Sequence, residues 1–231
     1  MTDFHTHLLP KIDDGSKSSD ETVKMLLKSA KAGVRRVIAT PHFNANHWSV
    51  EKFLKIRESA YEAVKENLTP EMPEIRLGAE VRYYEGISRL ESLRDLCIEG
   101  TNLLLLEMPV DKWSTFAQKE LSELSCRGDM QLVLAHIDRY LGFQSFETIE
   151  EFSRQGILMQ LNAEAFTSFF TRGKALKMLK SGMVQFIGSD CHDLGRRPPN
   201  MDKALAVIEK KLGARFVHEL KEIGNSVFLN K

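Results

Sequence analysis

Short apolar runs alternate with longer segments of helical period from one end of the chain to the other. The runs Thr2–Phe4, Arg36–Ala39, Ile75–Ala79, Leu103–Leu106, Leu132–Ala135, Leu158–Leu161 and Val184–Ile187 are of strand length and read as buried strands. The segments between them predict helices over Ser19–Ala32, Val50–Asn67, Gly86–Leu96, Ser114–Arg127, Ser145–Arg154, Gly173–Ser181, Asn200–Leu212 and Ala214–Ile223. Ser18 and Glu21 have the spacing of a capping box at the start of the first, and Gly33 stops it. Strands separated by helices favour a parallel sheet with helices outside it. With no linker or repeat, the expectation is an α/β protein with a single domain over residues 1–231. Seven strands favour a closed or nearly closed barrel, and a doubly wound open sheet competes with it.

Reactive residues sit just after these strands. His5, His7, Asp13 and Asp14 follow the first, His42 the second and Glu80 the third. Glu107 ends the fourth, His136 follows the fifth, Asn162 the sixth, and Asp190 and His192 the seventh. In a parallel α/β barrel these strand ends converge on the face where active sites form. Each residue alone has a plain explanation: a surface carboxylate for Glu80 or Glu107, a hydrogen-bonded core histidine for His136. Their joint placement points instead to metal. Imidazoles and carboxylates suit Zn, Mn or Fe, and so many donors exceed the needs of one ion. Carboxylates packed this closely also require cations among them. His47 and His218 fall outside the pattern and read as residues without a role.

Charge limits the partners. The 32 basic and 32 acidic residues cancel, so no global field favours nucleic acid or a membrane surface, and a phosphate ligand needs local cations. Three separated cysteines, Cys97, Cys126 and Cys191, argue against a disulfide framework. No signal-like segment or run of roughly 18 apolar residues is present, so the expected location is the cytoplasm, without membrane insertion.

In order along the chain, His5-Thr6-His7, Asp13-Asp14-Gly15, Thr40-Pro41-His42, Gly78-Ala79-Glu80, Glu107, Ala135-His136 and Ser189-Asp190-Cys191-His192 resemble the polymerase and histidinol phosphatase (PHP) superfamily. Within it the chain is most similar to the metal-dependent tyrosine phosphatases encoded with bacterial capsule and exopolysaccharide genes. The resemblance implies a distorted (β/α)7 barrel and a site for three divalent ions, manganese foremost, with Fe, Zn or Mg as alternatives. By that resemblance His5, His7, Glu80 and Asp190 hold one ion. Glu80, Glu107 and His136 hold a second, and Asp14, His42 and His192 a third. Arg139 and Arg197 match the family's phosphate-binding arginines. Lys11 departs from a frequent glycine and Cys191 from a small residue.

The implied reaction is hydrolysis of phosphotyrosine on a protein by metal-activated hydroxide, with His42 or a metal-bound water protonating the leaving group. The implied partner is a tyrosine autokinase controlling polysaccharide synthesis. Histidinol phosphate-type substrates, phosphodiesters and a non-catalytic metal-binding scaffold are the rival readings. Cys191 and Arg197 also have the C-x5-R spacing of cysteine-dependent tyrosine phosphatases. The Asp190 neighbour and the lack of a glycine-rich cradle oppose a thiolate there.

Overall fold

The computed structural model describes residues 1–228. Its strands are β1 (Thr2–Thr6), β2 (Arg36–Ala39), β3 (His42–Phe43), β4 (Glu74–Leu77), β5 (Glu80–Arg82), β6 (Leu103–Glu107), β7 (Gln131–Leu134), β8 (Leu158–Asn162) and β9 (Phe186–Gly188). Every strand pairing is parallel, in the orders β1-β2-β4 and β3-β5-β6-β7-β8-β9. Two short strands were not expected: beyond β2 the chain resumes as β3 after Thr40-Pro41, and beyond β4 as β5 after Gly78-Ala79. Proline has no N–H for a ladder, so Pro41 interrupts pairing on one side. Hydrogen bonds still cross the break, from the Gly78 N–H to the Ala39 carbonyl (2.8 Å) and from the Glu80 N–H to that of Pro41 (3.1 Å). At the far edge, the Asp190 N–H donates to the His5 carbonyl at 2.8 Å and the His7 N–H to that of Cys191 at 2.9 Å. Thr6 and Cys191 form a parallel bridge. The sheet is therefore curled, in the manner of a TIM-like fold.

The helices are α1 (Ser19–Lys31), α2 (Val50–Lys65), α3 (Thr115–Ser125), α4 (Phe146–Arg154), α5 (Ala163–Thr167), α6 (Arg172–Lys180), α7 (Met201–Leu212) and α8 (Ala214–Ser226). Ser18, Ser49, Ser114 and Ser145 cap the first four, each hydroxyl accepting from the third residue of its helix. Such caps contribute about 1 kcal/mol each. The expected box at α1 is displaced: the Glu21 carboxylate accepts from the Lys17 N–H, not that of Ser18. A larger difference concerns Gly86–Leu96, which forms two 3-10 turns, Ile87–Arg89 and Glu91–Leu96, and no α-helix. Ile87, Leu90, Leu93 and Leu96 recur every third residue, the period at which 3-10 side chains align. The buried Glu120 carboxylate fixes the start by accepting from the Gly86 N–H and the Tyr83 hydroxyl. Helix α5 was not expected.

Apolar residues form two layers. The larger lies between strands and helices, with Leu104, Leu106, Leu121, Leu134 and Phe166 among its buried members. The smaller joins Phe4, Ile38, Leu105, Val133, Ala135 and Phe186 from five strands, filling the concave side. Ile223, Val227 and Phe228, at the end of α8 and beyond, pack on this inner layer. The Arg36 guanidinium lies 4.4 Å from the Phe228 ring centre. One end of the curl is thus closed by apolar contact, and polar chemistry is left to the C-terminal ends of the strands. Among the described residues no helix is long and apolar enough to cross a membrane.

Gly188 lets β9 lie close to β1: a Cβ there would fall 2.4 Å from the His5 Cβ and 2.9 Å from Gln160 Nε2. Gly188→Ala is expected to cost about 1–3 kcal/mol of stability, read as a lower urea midpoint. An unchanged midpoint would show that these strands do not pack as described.

Candidate metal centre

Alternation along β1 sends His5 and His7 to the same side, where both are fully buried. Their Nε2 atoms lie 3.0 Å apart. Glu80, at the break between β4 and β5, places Oε2 3.2 Å from each of these two atoms and 3.0 Å from His42 Nδ1. Its other oxygen lies 2.8 Å from His136 Nε2, which is 3.5 Å from Glu107 Oε1. Asp190 Oδ1 lies 3.6 Å from His5 Nε2 and 3.5 Å from His7 Nε2. Asp14 Oδ1 lies 3.5 Å from His42 Nε2 and 3.4 Å from His192 Nε2, at the exposed edge of the cluster. All nine residues expected to ligate metal therefore meet in one place, whereas His47 and His218 are exposed elsewhere.

The donor set fits divalent ions. Bonds of about 2.0–2.2 Å separate neighbouring ligand atoms by roughly 2.9–3.5 Å, close to the spacings here. Three overlapping groups could each hold an ion: His5, His7 and Asp190; His42, Glu80 and Glu107; and His7, Asp14, His42 and His192. The grouping around Glu107 differs from the expected one by bringing in His42, although His136 is also within reach.

Protons on some of the imidazoles offset part of the carboxylate charge. Burial alone would lower the His7 pKa, but the Asp13 and Glu80 carboxylates bring it up to about 10. His136, opposed likewise by burial, is held up to about 9 by Glu107 and Glu80. Against the effect of burial, the surrounding imidazoles hold Glu80 well below the carboxylate range. Asp190 is also low, through His5, His7 and Arg139 overcoming burial. Burial, His7 and Arg197 push His192 down to about 4. Metal binding must displace protons from the raised imidazoles, since only neutral imidazole coordinates.

Backbone strain supports the same centre. His136 (φ 32°) and Asp190 (φ 53°) occupy the left-handed region immediately after strand positions. Side chains other than glycine pay for that conformation, and such outliers cluster at functional sites. Lys11, where the resembling family often has glycine, also has φ 60°. Its loop returns to the site through Gly15, where a Cβ would meet the His7 carbonyl at 2.0 Å.

Arg139 and Arg197 both reach Asp190 Oδ2, which also accepts from Asn162 Nδ2 at 2.9 Å. They line a cavity of about 320 Å³ beside the metal cluster, together with Asn162, Glu164, Arg196 and Lys203. Sequence reasoning named Asp13 and Asn162 without giving them a role and did not single out Gln160. Asp13 Oδ2 lies 2.7 Å from His7 Nδ1 and accepts from the His42 N–H at 3.0 Å, fixing the orientation of both. Gln160 Oε1 lies 3.2 Å from His5 Nδ1 and accepts from the His136 N–H at 2.6 Å. The available signals were the second aspartate of Asp13-Asp14 and the polar Gln160 and Asn162 two apart in an apolar strand.

The sequence pattern of the family described as "Capsular polysaccharide synthesis, CpsB/CapC" matches residues 1–228. The chain belongs to this family. It is 26% identical to the tyrosine-protein phosphatase YwqE of Bacillus subtilis, over all of this chain and 92% of that one. It is 29% identical to the tyrosine-protein phosphatase CpsB of Streptococcus pneumoniae, over 95% and 94% of the two. Among solved structures it is similar to one from a study of YwqE and CpsB as metal-dependent tyrosine phosphatases. The TM-score is 0.86 at 25% identity, covering 100% of this chain and 95% of the other. The Escherichia coli phosphotriesterase homology protein (TM-score 0.57, 14% identity, 98% of both chains) shares the fold alone.

Within this CpsB/CapC chain the C-x5-R spacing has no thiolate to use. Cys191 is 1% exposed. Burial, then Asp3 and Asp190, raises its thiol well above the usual range. Arg197 is directed to Asp190 and His192, not to the cysteine. Cys191→Ser is expected to keep most of the phosphatase turnover; a loss of several orders of magnitude in kcat would revive cysteine chemistry.

Proposed function

We propose that this protein is a metal-dependent phosphomonoesterase that removes phosphate from tyrosine on a protein, acting in capsule or exopolysaccharide synthesis. The observation that carries this reading is the meeting of five histidines and four carboxylates beside two arginines that share one carboxylate. Relatives of nearly the same length named as tyrosine-protein phosphatases, and a capsular-synthesis family, supply the substrate class. The reading includes one domain over 1–231 and a distorted (β/α)7 barrel of the PHP type. Counting β2/β3 and β4/β5 as broken single strands leaves seven, and the Thr6–Cys191 bridge joins the last to the first.

Three divalent ions are assigned to the centre, with manganese foremost. His5, His7, Glu80 and Asp190 hold the first; Glu80, Glu107 and His136 the second; Asp14, His42 and His192 the third. Bound there, the ions supply a water activated near neutral pH and positive charge against the phosphoryl oxygens.

The protein's own groups do the rest. Arg139 and Arg197 present guanidinium N–H groups to the phosphoryl oxygens, while Asp190 and Asn162 hold that corner in place. Asp13 and Gln160 keep the imidazoles of His7 and His5 from rotating. His42, about one-third exposed and the most open histidine of the cluster, marks the solvent edge at which the leaving oxygen would be protonated, by a water there or by His42 itself where its ring is not engaged in holding an ion. A phenol with pKa of about 10 leaves with little such help. The oxygen of water becomes bonded to phosphorus, the phosphorus–tyrosine oxygen bond breaks, and the proton ends on tyrosine. The proposed partner is a phosphorylated tyrosine autokinase met in the cytoplasm.

Exhaustive treatment with EDTA is expected to abolish hydrolysis of a phosphotyrosine peptide, and Mn²⁺ to restore it. Activity that survives complete chelation overturns the mechanism, and faster turnover of histidinol phosphate or a nucleotide diester would reassign the substrate. A metal-loaded protein inert on all three would leave the scaffold reading.

Arg139→Ala is expected to lower kcat/KM by about 10²–10³-fold while elemental analysis finds the metal content of the parent. Unchanged kinetics would remove Arg139 from the site.

A further inference from the structure

We propose that Phe169 and Phe170 form a docking lip for the substrate segment next to the phosphotyrosine, an extended peptide with an apolar neighbour to the modified residue. The inference rests on the phosphatase reading and extends it to what the site grips besides phosphate. The two rings are 81% and 89% exposed, far more than the other exposed large hydrophobic residues among those described, which do not exceed 50%. They meet edge to face with centres 5.7 Å apart.

The turn that carries them is firmly hydrogen-bonded. The Ser168 N–H donates to the Glu164 carbonyl at 2.9 Å and the Arg172 N–H to that of Ser168 at 3.1 Å. Thr171 Oγ1 donates to the Ala165 carbonyl at 2.9 Å, and the Phe170 N–H to Ser168 Oγ at 3.3 Å. Two apolar rings are thereby held out in water on a fixed loop, so a partner need not first order the turn.

Their location selects the partner. Helix α5, immediately before the rings, supplies Glu164 and Thr167 to the wall of the arginine-lined cavity. Phe169 is two residues beyond Thr167, so its Cα lies within about 7 Å of that residue's Cα. The cavity carries Arg139, Arg196, Arg197 and Lys203 against Glu164 and Asp190. An anionic group in the cavity with an apolar side chain on the rings matches this sequence of surfaces. A small aryl phosphate would occupy the cavity and stop short of the rings.

The test compares the metal-loaded parent with the double variant F169A/F170A on two substrates. One is a phosphotyrosine peptide with a flanking leucine and the other is p-nitrophenyl phosphate. Expected is a fall of about ten- to a hundred-fold in kcat/KM for the peptide, expressed in KM, with p-nitrophenyl phosphate unchanged. F169Y/F170Y is expected to retain most of the peptide activity. Equal losses on both substrates, or none on either, overturn the proposal. So does unchanged peptide kinetics accompanied by lost binding to phosphatidylserine vesicles, or by lost self-association in sedimentation. Those results would assign the rings to a membrane or to a second copy of the chain. A parent protein inert on both substrates would overturn the phosphatase reading and this one with it.

Discussion

Four imidazoles stand within 3.2 Å of the single buried carboxylate of Glu80, and the rest of the centre is arranged around that fact. A carboxylate withdrawn from water loses several kcal/mol of hydration, and only positive charge at contact distance offsets it. Protons on the histidines can supply that charge in the metal-free protein, which is why His7 and His136 are held so basic. Those same nitrogens are placed where a divalent ion could take over from the protons.

The irregularities of the sheet serve this geometry. A strand running unbroken from Glu74 through Arg82 would continue one pairing register; the break at Gly78-Ala79 transfers pairing from β2 to β3. That transfer sets His42 directly beside Glu80 in the parallel ladder. His136 and Asp190, two residues beyond the ends of β7 and β9, leave strand geometry for the left-handed region at the points where they join the cluster. The inner apolar layer and the closing contacts of α8 stabilise the opposite end, so the strained end is carried by a well-packed body.

Much of this was legible in the chain, for identifiable reasons. Strand–helix alternation depends on burial periods that survive any detail of packing, so the parallel sheet and most helices could be read directly. The meeting of the nine candidate residues was legible because strand ends share a face, which turns sequence spacing into spatial proximity. What was missed depended mostly on tertiary partners. The 3-10 turns over 87–96 carry a three-residue apolar period that was readable but was taken for a helical one, and their start is tied down by Glu120, 34 residues beyond Gly86. The strand breaks follow from Pro41 and from two ladders changing partners, and neither is a property of one segment. Asp13 was singled out without a role and Gln160 was not singled out, because what they do is orient neighbouring histidines, and that depends on partners distant in the sequence.

Cys191 illustrates how spacing misleads when surroundings are ignored. Its five-residue separation from Arg197 is compatible with a phosphate-binding loop, yet the same segment must bridge to Thr6 and send its N–H groups inward. The Asp190 N–H is taken by His5, that of Cys191 accompanies the Ser189 hydroxyl, and that of His192 goes to the Arg197 carbonyl. Donors committed to closing the sheet cannot also surround three phosphoryl oxygens. The segment serves the fold first and contributes carboxylate and imidazole second, and the cations that face the cavity include Arg139 and Arg197. Asp190 divides its oxygens accordingly, Oδ2 taken by both guanidinium groups and Oδ1 turned toward His5 and His7. Under the proposed function this shared ion pair is the contact that an entering phosphate would have to replace, and the Oδ1 side would give the carboxylate its other hold.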